Sequence, residues 1–301
     1  MHPLKLIPAC KDYIWGGTRL KTEYNKISGA ATIAESWELS CHRDGLSVIS
    51  EGEYAGASLL DYINDNKNAL GTACERFGRF PVLIKLIDAA DDLSIQVHPN
   101  DEQAAKDGDW GKTEMWYVVD AAPGSELIYG FNRRLSRGEF ARRIENGTLT
   151  EVVNRVRVKK GDIFFIPAGT LHAIGKGILI AEIQQNSNLT YRVYDYGRKG
   201  ADGKPRELHI KKALDVTELG PPGAPRGRTR CEYFRAAVAD IEGELSLRAE
   251  ASFVALLALE GEANVGGVSL KKGETCFIPA LYGDFTVAGK LKALIADVVS
   301  G

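Results

Sequence analysis

Short apolar segments, separated by glycine, proline or polar residues, recur along the whole chain. They are rich in β-branched and aromatic residues, and their spacing is typical of strands in an antiparallel sandwich or barrel. The clearest ones are residues 81–87, 115–119, 163–167, 178–183 and 253–259. The pattern predicts an all-β dominated chain in which helices are a minority.

Three segments carry helix signals instead. The clearest begins at Ser136, which has a glutamate three residues later in the order of a capping box and is followed by Gly147 at the expected end. Shorter helices are predicted from Asn100 or Asp101 onward and in residues 59–64. A few short helices should therefore surround the strands of the N-terminal part.

Two stretches of the sequence repeat one another. Residues 158–167 and 270–279 each contain a Lys-Lys-Gly turn, an acidic residue, an apolar strand and a final proline, and their glycines are 112 positions apart (273 minus 161). Such a recurrence is typical of a duplicated unit, here one arm of a β-hairpin. We therefore expect two β-barrels.

Composition narrows the function classes. The 301 residues carry a net charge of −2, so the chain has no overall positive field that would hold nucleic acid or an anionic membrane. It has no apolar stretch of the roughly 18 residues that a membrane span needs. Five scattered cysteines without a Cys-x-x-Cys pair argue against a disulfide framework and favour a reducing cytoplasm. By elimination, a small molecule is the expected partner.

One group of side chains suggests a metal centre. Gln96 and His98 are two apart in an extended segment, so their side chains should point the same way. With Glu114 and His172 they offer a carboxamide oxygen, imidazoles and a carboxylate, a set that suits a divalent ion such as zinc and leaves room for water or substrate. Any one histidine alone is more simply explained as a core residue, but several positions that match one pattern favour the metal.

The repeated units differ where this chemistry would lie. Gly169 and His172 of the first copy correspond to Leu281 and Asp284 of the second. Residues 220–228, rich in proline and glycine, form the expected linker. The sequence thus predicts a metal-binding catalytic domain in residues 1–219, with helical insertions, and a degenerate second barrel without metal in residues 230–301.

Specific motifs resemble a known family. Gly161, Pro167, Gly169 and His172 are spaced as in the second conserved motif of the cupin superfamily. Further landmarks over nearly the whole chain resemble the short bacterial form of type I mannose-6-phosphate isomerases: residues 13–17, 34–38, 93–99, 111–116 and 188–196.

The resemblance implies two cupin-type jelly-roll barrels and one Zn²⁺ ion per chain, held by Gln96, His98, Glu114 and His172. It also implies that mannose 6-phosphate and fructose 6-phosphate are interconverted through a cis-enediol. Gln96 replaces the first histidine of the usual cupin motif, which is an isomerase-like departure.

Two cations are candidate catalytic residues. Lys112 lies two positions before Glu114, so the two should share a face; a nearby metal would favour the neutral amine that proton abstraction requires. The alternative is that Lys112 only pairs with Glu114 or with the sugar phosphate. The resemblance implies that Arg192 is an active-site cation, and a guanidinium, which does not deprotonate, would stabilise an enediolate or a phosphate.

Substrate contacts are less sharply defined by the sequence. No glycine-rich phosphate loop is present, so side chains must bind the phosphate. The candidates are Lys85, Arg198, Lys199, Lys204 and Arg206, of which Lys85 and Arg198 are our choice, although each alone could be an ordinary surface charge. Trp15 either forms a wall of the pocket or packs in the core.

Two rival functions remain open at this point. An iron-dependent cupin oxygenase would use two histidines and one carboxylate, and a sugar-binding bicupin without catalysis would keep the barrels but would not need Lys112 or Arg192. The oligomeric state is not indicated by the sequence.

Overall fold

The computed structural model describes residues 2–200, 203–223 and 227–299. Its α-helices are α1 (Arg19–Thr22), α2 (Leu59–Asp65), α3 (Asp101–Ala104), α4 (Arg137–Glu145) and α5 (Ile210–Val216), and short 3₁₀ helices occupy Lys67–Leu70, Thr72–Phe77, Ala105–Asp107 and Leu149–Glu151. The strands are β1 (Leu4–Ile7), β2 (Ala9–Lys11), β3 (Glu35–Leu39), β4 (Cys41–His42), β5 (Gly45–Leu46), β6 (Val48–Ile49), β7 (Val82–Ala89), β8 (Ile95–Val97), β9 (Glu114–Ala121), β10 (Glu126–Phe131), β11 (Val153–Arg157), β12 (Ile163–Ile166), β13 (His172–Ile174), β14 (Ile178–Gln185), β15 (Tyr191–Tyr194), β16 (Arg235–Ala249), β17 (Val254–Val265), β18 (Val268–Lys271), β19 (Thr275–Ile278) and β20 (Gly283–Asp297).

The first barrel consists of two antiparallel sheets. A six-stranded sheet has the order β12-β9-β14-β7-β3-β2, and a five-stranded sheet has the order β11-β10-β13-β8-β15. Trp116 and Ile180 from the first sheet share a buried cluster with Leu127 and Ile174 from the second. The two sheets therefore enclose one apolar interior, at whose end the candidate site lies.

The second barrel is built on a sheet of the order β16-β20-β17-β19-β1-β6, with β18 paired to β17. Its interior contains Leu256, Cys276 and Val287. The N-terminal strand belongs to this sheet, since Leu4 pairs with Phe277. The chain thus crosses between its two barrels, and the division into residues 1–219 and 230–301 stays a prediction.

The long apolar segments of the first barrel are strands that are buried on both faces. All eight residues of β14 are buried, as are all eight of β7. One face of β7 lines the barrel interior, whereas Ile84 and Leu86 on the other face pack in a cluster with Leu257 and Phe277 of the second barrel. A strand covered on both faces loses the alternation of apolar and polar residues, which explains the continuous apolar pattern.

The repeated segments adopt the same backbone. Gly161 and Gly273 have φ values of 93° and 84°, and Gly169 and Leu281 have φ values of 86° and 63°. This left-handed region is costly for a residue with a Cβ. Leu281 nevertheless keeps the backbone conformation of the corresponding turn in the first copy, where the residue is Gly169. Of the linker between the copies, residues 224–226 lie outside the described residues.

The expected helices are present. Ser136 Oγ accepts a hydrogen bond from Glu139 N (3.1 Å) at the start of α4, while the Glu139 carboxylate bonds to Arg133. Asn100 and Gln103 form the reciprocal capping box of α3. The prediction of an all-β dominated chain with two barrels and a few short helices is confirmed. Within the described ranges, no helix has both the length and the apolar character of a membrane span.

Candidate active site and metal centre

Three neighbouring strands bring candidate residues into one row. His172 at the start of β13 pairs with Gln96 of β8, and Gln96 pairs on its other side with Arg192 of β15. Residues paired across antiparallel strands point to the same face, and the ring of His172 packs edge-on against Trp116 of the opposite sheet. Because strands lie about 4.8 Å apart, the row spans roughly 10 Å from His172 to Arg192.

Three side chains converge at one end of this row. His98, Glu114 and His172 place one ligand atom each within 4.8 Å of one another, and all three are buried. Glu114 Oε1 lies 2.8 Å from His98 Nε2. Over the part of the chain that is described, no other group of three His, Cys, Asp or Glu residues meets this criterion.

Both histidines are oriented by backbone carbonyls. The Nδ1–H of His98 donates to Leu189 O and that of His172 donates to Thr170 O, each over 2.8 Å, with tautomers assigned from these partners. Burial, followed by the charge of Lys112, lowers the pKa of His98 to about 3. Burial also lowers the pKa of His172. The rings are therefore neutral, and each Nε2 is the unprotonated nitrogen that can act as a ligand.

This arrangement fits a metal ion. Glu114 Oε1 is fully buried and makes no hydrogen bond of acceptable geometry, although Lys112 Nζ and His98 Nε2 each lie 2.8 Å away. A buried carboxylate oxygen without a hydrogen bond, beside two neutral Nε2 atoms, matches a zinc-type donor set with carbonyl-bound second nitrogens. Gln96 adjoins the group, and its Nε2 lies 3.5 Å from His172 Nε2.

Lys112 lies beside this cluster rather than on the strand. It precedes β9, which begins at Glu114, and its Nζ is 3.2 Å from His98 Nε2. Lys112 thus reaches the side of Glu114 from the segment that leads into β9, not from a position within the strand. Lys112 is buried from bulk water, with 5% of its surface exposed.

A chain of buried polar side chains extends behind Glu114. Trp116 Nε1 donates to Glu114 Oε2 (2.7 Å) and to Glu182 Oε2 (2.8 Å). Burial, followed by the charge of Glu114, raises the pKa of Glu182 to about 7. Lys85 Nζ lies 3.2 Å from Glu35 and 3.7 Å from Glu182. Burial alone would lower the pKa of Lys85, but these two carboxylates raise it.

Sequence reasoning did not find Glu35 or Glu182 as site residues. Glu182 is a single carboxylate in the apolar strand β14, and ionisable residues are rarely fully buried unless they are paired. A charge in such a strand is the signal that could have identified it. Glu35 is likewise a carboxylate in a strand, β3, all of whose residues are buried, and it lies in one of the family landmarks.

A cleft of about 330 Å³ reaches Gln96 and Lys112, which adjoin the His98–Glu114–His172 group. Among its lining residues are five of the predicted site residues, Trp15, Lys85, Gln96, Lys112 and Arg192. Arg206 lines it as well, whereas Arg198 does not. A larger cavity of about 540 Å³ around Cys41 and Cys74 contains none of the predicted site residues, so size alone does not locate the chemistry.

Arg192 stands at the far end of the cleft. Its Nε lies 3.3 Å from Ser94 Oγ, and its Nη1 donates to Glu207 O over 3.0 Å. None of the ion pairs among the described residues involves its guanidinium. Burial, followed by the charge of Arg206, lowers the pKa of Arg192. The cleft thus has one end beside the His98–Glu114–His172 group and one cationic end.

Two family models match the chain. The model "Phosphomannose isomerase type I, catalytic domain" matches residues 4–123, and the model "Mannose-6-phosphate isomerase, cupin domain" matches residues 228–298. The first contains Gln96, His98, Lys112 and Glu114, and the second covers the C-terminal barrel.

Curated relatives and a solved structure match over almost the full length. The chain is 38% identical to mannose-6-phosphate isomerase ManA of Bacillus subtilis (strain 168), over 99% of both chains. It is 35% identical to the mannose-6-phosphate isomerase of Streptococcus mutans, over 97% of each. The crystal structure of the mannose 6-phosphate isomerase from Bacillus subtilis superposes with a TM-score of 0.93 at 34% identity, over 99% of this chain and 100% of that one. This chain therefore belongs to the type I mannose-6-phosphate isomerase family.

Proposed function

We propose that this protein is a zinc-dependent aldose–ketose isomerase that interconverts mannose 6-phosphate and fructose 6-phosphate through a cis-enediol. The observation that carries the proposal is the buried His98–Glu114–His172 group, which adjoins a cleft lined by Gln96, Lys112 and Arg192. The relatives that match almost the whole chain are mannose-6-phosphate isomerases, which supports the same substrate. A sugar phosphate is accordingly the proposed partner, and a cytoplasmic location stays a prediction.

Four side chains would hold the ion: Gln96, His98, Glu114 and His172. Gln96 would use its Oε1, which a half-turn of the amide exchanges with Nε2. When bound, the divalent ion supplies Lewis acidity that polarises oxygen atoms of the open-chain sugar, an effect worth several kcal/mol. Trp116 holds the second oxygen of Glu114 in place.

Lys112 is the proposed proton carrier. Isomerisation moves a proton between C2 and C1 of the sugar. The side chain that carries this proton must lie within reach of both carbon atoms. Lys112 Nζ is next to Glu114 and also lines the cleft. Its burial keeps bulk water from competing for the proton.

Arg192 is proposed to stabilise the negative charge that develops on the substrate. Its guanidinium remains charged throughout the reaction and faces the cleft. Trp15 and Lys85 would contact the sugar from the opposite wall, where Lys85 is fixed between Glu35 and Glu182.

The rival functions differ from this proposal in what they require. A cupin oxygenase needs a redox-active metal and an oxygen site but no proton carrier, and a bicupin that only binds sugar needs neither Lys112 nor Arg192. The test is a coupled assay for fructose 6-phosphate in Lys112→Met and Arg192→Ala, with metal content measured on the same samples. The isomerase proposal expects both variants to lose turnover while they retain the metal.

The exposed Lys106 provides the matched control. Lys106→Met removes one positive charge from the same region and should retain full turnover. Wild-type levels of fructose 6-phosphate formation in both Lys112→Met and Arg192→Ala would contradict the proposed catalytic roles.

A further inference from the structure

The cationic end of the cleft has more positive than negative charge. Asp195 is 5% exposed and accepts bonds from two arginines. Arg206 Nε donates to Asp195 Oδ2 over 2.7 Å, and its Nη2 donates to Oδ1; Arg198 Nη2 donates to Oδ1 over 2.6 Å. Together with Arg192, three guanidinium groups surround one carboxylate. With Asp91, which lies 3.6 Å from Arg198, this end has three positive groups against two negative groups, an excess of about one positive charge.

The two arginines bound to Asp195 differ in their orientation. Arg206 lines the cleft, with 18% of its side chain exposed. Arg198 does not line it, and its Nη1 donates to the carbonyl of Asp92 and lies 3.6 Å from an oxygen of Asp91. Arg198 thus braces Asp195, which means that it holds this carboxylate against the backbone of Asp92. Arg206 presents its guanidinium to the cleft.

The other cations of the cleft are already neutralised. Lys85 lies between Glu35 and Glu182, and Lys112 is 2.8 Å from Glu114. A phosphate carries close to two negative charges at neutral pH. It would be repelled by the carboxylates near either lysine but attracted by the excess positive charge near Arg206.

The position of Arg206 also suits the shape of the substrate. Arg192 and His172 are separated by the width of two strand spacings, with Gln96 between them. The reacting carbons of a hexose 6-phosphate are at the opposite end of the molecule from the phosphate. With the carbonyl end at the metal cluster, the phosphate end would reach the cations at the far end of the cleft.

We infer that Arg206 is a phosphate-binding residue of this cleft and that Asp195, braced by Arg198, is the positioning residue that aims its guanidinium. This inference rests on the proposed function for the identity of the sugar phosphate. A guanidinium held in a bidentate pair retains free N–H donors for a second anion, and its orientation is fixed before the ligand arrives.

The test measures binding of inorganic phosphate and of mannose 6-phosphate to the metal-loaded enzyme by calorimetry, together with KM and kcat. Arg206→Gln should weaken the binding of both ligands by roughly ten- to a hundredfold, because a hydrogen bond to a charged group is lost. KM for mannose 6-phosphate should rise by more than kcat falls. Arg206→Lys should be intermediate, since it keeps the charge without the planar fork.

The exposed Lys211 on helix α5, which follows the same loop, serves as control, and Lys211→Gln should bind both ligands as the wild type does. Undiminished phosphate binding by Arg206→Gln, or an equal loss in Lys211→Gln, would overturn the inference. If the wild type failed to isomerise the sugar phosphate, the proposed function would fail, yet calorimetry with inorganic phosphate would still decide the role of Arg206.

A double-mutant cycle tests the positioning role of Asp195. Asp195→Asn should weaken phosphate binding in the wild type but add little in the Arg206→Gln background, because it acts through Arg206. Thermal unfolding of each variant shows whether the fold is intact. An equal loss of phosphate binding in both backgrounds would mean that Asp195 does not act through Arg206.

Discussion

A histidine that is buried from water resists protonation, and this property makes His98 and His172 suitable metal ligands at neutral pH. Their Nδ1–H groups are bound to carbonyls that precede or follow short strands, namely Leu189 O and Thr170 O. Orientation therefore comes from the backbone of loops beside the site. Lys112 precedes β9 and places its Nζ beside His98 and Glu114.

Lys112→Arg separates charge from proton transfer. An arginine retains the positive charge but does not give up its proton. If Lys112 carries the proton, kcat should fall on the order of 10²–10⁴-fold, while the metal and mannose 6-phosphate remain bound. Steady-state kinetics measures kcat, and elemental analysis measures the metal content. Full turnover by Lys112→Arg would mean that another group is the base.

Gln96→Glu changes the charge of the metal site without changing its shape. The added negative charge should tighten metal binding and weaken the Lewis acidity that the sugar experiences. We expect kcat to fall by roughly tenfold, a loss of about 1.4 kcal/mol from an effect of several kcal/mol. A variant with unchanged kcat and unchanged metal affinity would show that Gln96 is not a ligand.

At the residue scale, the sequence predicts some site residues better than others. The alternation of side chains along an extended segment predicts that Gln96 and His98 lie together, because the two residues are close in sequence. The choice between Arg198 and Arg206 is different, since both are in one loop and only the tertiary fold decides which of them faces the cleft. The bridge from Trp116 to Glu182 likewise depends on pairing between strands.

At the scale of elements, corresponding turns of the two barrels share one backbone conformation. Both repeats retain positive φ at the corresponding positions, although one of them is now Leu281. The repeat is visible in the sequence because its glycine and proline positions are retained. The pairing of the N-terminal strand β1 with β19 is not visible in the sequence, because no local pattern encodes contacts between chain segments that are more than 250 residues apart.

The turn at Leu281 provides a stability prediction. Leu281 is 60% exposed and has a φ of 63°, so Leu281→Gly should relieve strain at little cost in buried surface. We expect a gain in the free energy of unfolding of up to about 1 kcal/mol, the strain relieved less the entropy of a new glycine. Urea denaturation measures it.

Gly169→Leu is the reciprocal variant and should be destabilising. A Cβ at Gly169 would lie 3.1 Å from Val216 O and 3.0 Å from Glu218 Cγ, in addition to the strained φ. If the two substitutions had the same sign, the turns would not be equivalent in energy.

The loop after α3 is held by Asp109, which gives a pH-dependent contribution to stability. Asp109 bonds to Arg79 (2.7 Å) and to the N–H of Trp110 (2.8 Å), and His42 lies near. Burial alone would raise the pKa of Asp109, but these neighbours hold it well below its ordinary value. The stabilisation is therefore full above an unfolded pKa of about 3.9 and is lost as pH falls toward the folded pKa.

Asp109→Asn should consequently lower the free energy of unfolding by about 1–2 kcal/mol at pH 7. The difference from wild type should shrink as the pH falls below about 4. Denaturant unfolding at several pH values measures it, with the exposed Asp65→Asn as control. A difference that grew toward acid would refute the assignment.

At the scale of the whole molecule, the two barrels divide their tasks. The first contains the His98–Glu114–His172 group and the cleft. The position equivalent to His172 in the second is Asp284, whose side chain is 76% exposed and pairs with Arg248. The second barrel instead covers the outer faces of β7 and β14, strands that carry Lys85 and Glu182. It thereby packs against the face of these strands that is opposite to the one carrying Lys85 and Glu182.

The most direct test of the account is one sample that is measured for both metal and turnover. Purified protein is assayed for fructose 6-phosphate formation from mannose 6-phosphate before chelation, after chelation and after zinc is restored, with metal analysis at each stage. The account predicts close to one ion per chain, loss of turnover with its removal and recovery with its return. Full turnover of metal-free protein, or a second tightly bound ion in residues 230–301, would contradict it.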